Sequence, residues 1–273
     1  MNLSDLNLSE TFSDLLLAAE VEDLAVLTDY LTDKGEGRLM LDGDVCKRLV
    51  DCKRDKAFSD SDRFLIAKEI RAFGGNSLVN LFRGGGVEYS ELARDVADHL
   101  KVSFNKAGPV VNVEIAILQK LFNDALSKMS DAERKQVLDE LNIGDLAGMG
   151  PAAIAMALAG GKLAGFAAYK MALIVANALA KAILGRGLPF AVNAALTRTM
   201  GVMLGPIGWV VTGIWTVADL ASPAYRVTVP CVVQIAYMRQ KAIASMTSTS
   251  CPECKAINAV GAKFCTECGA SLK

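Results

Sequence analysis

The chain has 273 residues, 52% of them apolar and 22% charged, with a formal net charge of −1 and a positive mean hydropathy of +0.31. That length suits one large or two small domains, and the near-zero charge speaks against a nucleic-acid partner. The charges are nevertheless unevenly placed: residues 1–146 carry 18 basic against 27 acidic side chains, residues 147–221 carry 5 against 1, and residues 222–273 carry 6 against 2. An acidic front half is thus joined to a basic, apolar back half, which can dock on it or meet anionic lipid.

The opening, MNLSDLNLSE, lacks the basic start and apolar run of a secretory signal. Of seven cysteines, four form paired knuckles near the end, while Cys46, Cys52 and Cys231 are scattered. This pattern suits a reducing compartment and a metal better than a disulfide framework, so a cytoplasmic location is expected.

Residues 1–146 read as an acidic domain of amphipathic helices. Phe12, Leu15, Leu16 and Ala19 fall at helical spacing, with Thr11 or Ser9 as cap. A helix from Val21 to Leu31 follows, with Leu24, Leu27 and Leu31 on one face and acidic residues in its first turn. Asp33 to Gly37 breaks it, and a basic helical segment from Val45 to Lys56 comes next. Ser59 starts another helix carrying Phe64, Leu65, Ala67, Ile70 and Phe73, on which Asp60, Asp62 and Glu69 read as a solvated face. Phe73-Gly74-Gly75-Asn76-Ser77 predicts a left-handed glycine stop and a recapped helix over Leu78, Val79, Leu81 and Phe82. Helices are also predicted over Tyr89–Leu100, Val113–Met129 and Ser130–Leu141, the last with a capping box at Ser130 and Glu133.

From Ala147 to Ala221 the chain is apolar and rich in Ala and Gly, interrupted by Lys162, Lys170, Lys181, Arg186, Arg198 and Asp219. No charge falls between Thr199 and Ala218, about the length that crosses a bilayer core. A hairpin of two long helices is predicted, turning at Gly185-Arg186-Gly187-Leu188-Pro189 and kinked at Gly205-Pro206-Ile207-Gly208. The pairs Gly161/Gly165 and Gly201/Gly205 allow close helix approach, and Trp209 and Trp215 suit an interface. Tyr225 to Pro230 reads as extended, followed by a helix from Val229 to Met246 and a Ser/Thr-rich linker. The domain division is therefore 1–146, 147–246 and 251–273.

Cys251-Pro-Glu-Cys254 and Cys265-Thr-Glu-Cys268-Gly269 have zinc-ribbon spacing. Two knuckles place four thiolates, Cys251, Cys254, Cys265 and Cys268, at the corners of a tetrahedron around Zn(2+), with no position left for water. The site should be structural. Ile257, Val260 and Phe264 are the candidates to pack behind it, so metal binding must supply the fold. Such small tails resemble recognition or assembly modules of bacterial proteins, which implies a protein partner.

Catalytic constellations are missing. His99 stands alone near a helix end, where a favourable charge at the dipole is the expected role. Arg83-Gly84-Gly85-Gly86 lacks the Lys-Ser/Thr of a phosphate loop. Cys46, Cys52 and Cys231 have no adjacent base and read as packing residues.

Three stretches go beyond pattern. Glu69 to Asn80 with Phe82-Arg83-Gly84-Gly85-Gly86, Leu184 to Gly187 with Gly205 to Gly208, and Ala224-Tyr-Arg-Val-Thr-Val-Pro-Cys-Val-Val-Gln-Ile-Ala-Tyr-Met-Arg resemble the YaaW family of bacterial proteins. That family is classed with the ubiquinol-cytochrome c chaperone-like domains. The resemblance covers nearly all of residues 12–243 and implies a helical protein without assigned catalytic residues; the ribbon is an addition. The expected fold is all-α, a helical bundle with a long apolar hairpin and a C-terminal zinc ribbon. The expected role is a non-enzymatic chaperone-like or interaction protein at or near a membrane, compatible with a homo-oligomer. The alternative is a membrane-inserting or pore-forming effector whose hairpin is sheltered at rest. Lys162, Lys170 and Lys181 oppose a permanent span, since each costs roughly 2.5–3.5 kcal/mol at mid-bilayer.

Overall fold

The computed structural model describes residues 11–74, 86–141, 143–157, 166–188, 224–246, 248–254, 257–265 and 268–272. Among these the chain is helical as far as Met246 and ends in a small module with two short strands, in line with the expected fold class. It forms two compact units, Met1–Glu114 with Trp215–Met238, and Ile115–Ile214 with Arg239–Lys273.

In the first unit, α1 (Phe12–Leu17) begins at a capping box, in which Thr11 and Asp14 satisfy each other's backbone N–H groups. Its far end is closed from a distance. The Arg63 guanidinium donates to the carbonyls of Leu16, Leu17 and Ala19 at 2.8, 2.9 and 2.8 Å, oxygens with no partner inside a helix. α2 (Val21–Thr32) packs on α3 (Gly43–Asp55) and α4 (Asp60–Phe73). Leu24, Leu27 and Leu31 form its predicted buried face, and burial extends to Thr28, Asp29 and Thr32. Most of its buried polar groups are matched inside: Asp23 accepts from the Gln234 amide at 3.0 Å, Asp29 from the Lys53 ammonium, and the Thr32 hydroxyl donates to the Thr28 carbonyl at 2.7 Å, while the Thr28 hydroxyl has no partner among the described residues. α2 stops where Asp33 turns left-handed at φ 53°. α3 starts two residues earlier than the hydrophobic spacing predicts, because Asp42 accepts from the Asp44 and Val45 amides.

The solvated face expected on α4 is not what forms. Asp60 is exposed, but Asp62 and Glu69 are 6% and 8% exposed. Burial pushes the Asp62 carboxyl up; hydrogen bonds from Ser59 and Arg48, the latter at 2.7 Å, outweigh it and hold the group below its ordinary range. Glu69 has no such compensation. Burial is the main cause of its raised pKa, with Asp42 adding to it and Lys68 opposing. Gly74 also departs from expectation, ending α4 at φ −77° in ordinary helical geometry. Glycine is needed there for space, since a Cβ would lie 2.4 Å from the Leu92 side chain. The helix predicted over Leu78 to Phe82 lies outside the described residues.

α5 (Tyr89–His99) buries Leu92 and Val96 as its spacing predicts. His99 is stacked on Tyr225, ring centroids 3.7 Å apart, and burial lowers its pKa. Burial thus opposes the helix-end charge expected of it. α6 (Val110–Leu126) begins directly after Pro109, and its Glu114 accepts from the buried Tyr89 hydroxyl at 2.8 Å. α10 (Tyr225–Met246) includes the stretch predicted as extended. Pro230, sixth in this helix, removes one bond near its start, while Val227, Val229, Cys231, Val232 and Val233 are all buried. Tertiary burial outweighs the local preference of a β-branched run.

In the second unit, α7 (Asp131–Glu140) starts at the predicted Ser130/Glu133 capping box. A short α8 (Pro151–Ala157) follows, then α9 (Phe166–Leu184), the first arm of the predicted hairpin. Lys170 through Ala180 are buried without interruption, three turns with no wet face. The arm ends at the predicted turn, where Gly185 takes φ +73° and Asn177 accepts from the Leu188 amide at 2.8 Å. The second arm, with Gly201, Gly205 to Gly208, Trp209 and Trp215, lies outside the described residues, as do Gly161 and Gly165.

Candidate metal centre

Beyond α10 the backbone folds back on itself. β1 (Ser248–Ser250) pairs antiparallel with β2 (Ile257–Ala259), Thr249 facing Asn258. The pairing brings the first knuckle, Cys251 and Cys254, to the end of the hairpin. The second knuckle is tied by backbone bonds: Gly269 N–H to the Cys265 carbonyl at 3.0 Å, Cys265 N–H to Ala270 at 2.7 Å, and Leu272 N–H to Lys263 at 3.0 Å. An isolated bridge joins Phe264 to Ser271.

These turns collect all four predicted ligands. Every sulfur lies within 4.8 Å of the others, and the Cys251–Cys268 and Cys254–Cys265 pairs are each 3.6 Å apart. A tetrahedron with metal–sulfur bonds of about 2.3 Å has edges of about 3.8 Å. The cage therefore fits one metal ion, and disulfide geometry, with sulfurs at about 2.05 Å, is absent from these pairs. The donor set is purely thiolate, which suits a soft or borderline ion and leaves calcium or magnesium aside.

The packing behind the cage differs from expectation. Val260 and Phe264 are 71% and 65% exposed, so neither backs the site. Ala270 and Leu272 pack against the buried Cys251 and Cys265 instead. The side chain of Ile257 lies outside the described residues. One contributor was missed in the sequence altogether. Asn258 is fully buried and its Nδ2 reaches the Cys265 sulfur at 3.5 Å, a donor aimed at a ligand. A polar residue at the centre of a short strand between two knuckles is the signal that marks it.

The remaining cysteines are not among the four clustered sulfurs. Cys46 and Cys231 are buried and Cys52 half-buried, and burial raises the Cys52 and Cys231 thiols above their ordinary values. The raised values of Cys52 and Cys231 fit packing residues.

Comparison with known proteins places the helical part. Residues 63–233 match the family model described as "Ubiquinol-cytochrome C chaperone". The chain belongs to that family. A UPF0174 protein of Helicobacter pylori J99 is 44% identical over 177 residues, covering 64% of this chain and 70% of the relative. Another, from strain 26695, is 43% identical over 181 residues, 64% of this chain and 87% of the relative. The UPF0174 protein YaaW of Escherichia coli K12 is 28% identical over 245 residues, 88% of this chain and 97% of the relative. No solved structure matches. The family match ends at residue 233, before the first knuckle cysteine. It takes in α4 from Arg63, α5 to α9 and the first turns of α10, so the family's signature lies in the helical body.

Proposed function

We propose that this chain is a non-enzymatic, chaperone-like interaction protein that works at or near a membrane. Its helical parts, residues 1–146 and 147–246, form the working body, and residues 251–273 form a structural zinc module that recognises a protein partner. The carrying observation is α9. Its window Ala167–Leu184 has a mean hydropathy of 1.5 and is 67% buried. A helix apolar on every side is stable in water only when covered. A body that covers such a helix suits a protein handling apolar partners, and the family description is consistent with that. Four thiolates leave no open coordination position, so zinc here would brace the module and supply no reaction step.

Cell fractionation with a carbonate wash tests this reading. Peripheral membrane association, released by carbonate, is expected, together with one zinc per chain by elemental analysis. A wholly soluble distribution, or purified protein lacking metal, would count against the respective half of the proposal.

A second reading has its own observation. The same window of α9 is long and apolar enough to cross a bilayer. In that reading the hairpin leaves its shelter and enters anionic lipid. Flotation with liposomes and release of a trapped dye would show it; absence of both at every lipid composition ends it.

A further inference from the structure

The four thiolates of the cage are not equivalent. In each knuckle the first cysteine is buried, Cys251 at 0% and Cys265 at 4%, and the second, Cys254 or Cys268, is exposed. Ala270 and Leu272 cover the buried pair. On the same covered side Asn258, itself fully buried in β2, directs its amide N–H at the Cys265 sulfur. Its backbone is held opposite Thr249 in the hairpin.

We propose that the metal centre has two faces: Cys254 and Cys268 are modification sites open to soft electrophiles, and Cys251 and Cys265 are a shielded anchor in which Asn258 is the positioning residue. The inference rests on the tetrathiolate zinc reading above. A metal-bound thiolate keeps lone pairs on sulfur, and its reaction with an electrophile depends on access and on charge density. Exposure supplies access on one face. On the other, the Asn258 hydrogen bond draws charge from sulfur and fixes the ligand's orientation. With iodoacetamide the step is a displacement: the sulfur lone pair bonds the methylene carbon, the carbon–iodine bond breaks, and iodide leaves with its electron pair. The thiolate becomes a neutral thioether, a far weaker zinc ligand, and the metal loosens from its exposed side first.

The test uses the full chain with its metal content measured beforehand. Short pulses of iodoacetamide are followed by peptide mass spectrometry at each cysteine, while a chromogenic chelator reports released zinc. Cys254 and Cys268 should alkylate at least about tenfold faster than Cys251 and Cys265, with zinc release tracking their modification. Buried Cys231 and half-buried Cys52 serve as metal-free references in the same sample. Asn258→Ala should weaken metal retention by about 10–100-fold and raise the Cys265 rate, whereas Asn258→Ser, which keeps a short donor, should lie between the two. Metal bound with uniform rates, or with Cys251 or Cys265 reacting first, overturns the two-faced centre and leaves the zinc reading standing. A chain without stoichiometric metal removes both. The order of modification in the native chain decides the matter even where an Asn258 variant does not fold.

Discussion

α2 and the cysteine module are both short and are held in opposite ways. In α2, Leu24, Val26, Leu27 and Leu31 are each 0% exposed, and helices α3 and α4 lie against it. In the module, Val260 and Phe264 point outward at 71% and 65%, and the buried centre is two cysteines with Ala270 and Leu272. The first is fixed by removing apolar surface from water, roughly 25 cal/mol per Å². The second has little such surface among its described residues, and in the proposed reading its order comes from metal–ligand bonds. In that reading one chain combines an element that fails when a side chain is trimmed with one that fails when an ion is withdrawn.

Withdrawing the ion is the largest test of this contrast. Structural zinc contributes about 10–16 kcal/mol to small metal-dependent folds near neutral pH. Chelation, or Cys265→Ser, should collapse the dispersed amide resonances of residues 251–272 while the far-ultraviolet helical signal persists. If those resonances stay dispersed without metal, the module has a core of its own and the comparison breaks. Trimming α2 comes next. Leu27→Ala should cost about 2–5 kcal/mol in urea unfolding, with zinc content unchanged. A loss below about 1 kcal/mol would mean that α2 is not central to its unit.

A cap sharpens the picture at smaller scale. Ser59 accepts from the Asp62 amide, and Asp62 accepts from the Ser59 amide at 2.9 Å and from Arg48 at 2.7 Å. Ser59→Ala should cost about 1 kcal/mol by thermal or urea melts. Because the Asp62 pKa is depressed in the folded chain, its contribution is complete above the unfolded value of about 3.9 and is lost as pH falls through the folded value. The difference between wild type and variant should therefore shrink in acid; a constant difference from neutral to strongly acidic pH would remove Asp62 from the account.

What could be read in advance was local. Ser130/Glu133 reads as a capping box, Thr11 as a cap candidate and Ser59 as a helix start; in the structure all three begin capping boxes, because three residues separate the partners, a distance the chain itself sets. The four knuckle cysteines were legible for the same reason. What escaped depends on segments far apart in the chain. Nothing near Asp23 reveals that Gln234 will meet it, and nothing near His99 reveals Tyr225, yet such contacts accompany their burial. The Tyr225–Pro230 stretch misled because its β-branched residues and proline are extended by propensity, while in the fold their burial favours helix. Asn258 escaped because its partner, Cys265, was already assigned to the metal.

Glu69 carries the smallest and most diagnostic prediction. It is 8% exposed in α4, and its pKa is raised chiefly by burial, with Asp42 adding repulsion against the partial relief of Lys68. A raised folded value means that the folded chain holds its proton more tightly than the unfolded chain. Stability from this group is then fully present below the unfolded pKa of about 4.3 and declines as pH rises through the folded value. At neutral pH the wild type carries a buried charge with no compensating hydrogen bond of the kind Asp62 has. Glu69→Gln keeps the shape and removes the charge, so it should raise stability at pH 7 by less than about 1 kcal/mol, with the gain vanishing below pH of about 4. Parallel urea melts of the two proteins across that range would show it. A variant less stable than wild type at pH 7 would mean that the carboxylate is held by a favourable interaction after all, and that the acidic front half of this chain uses Glu69 as it uses Asp62.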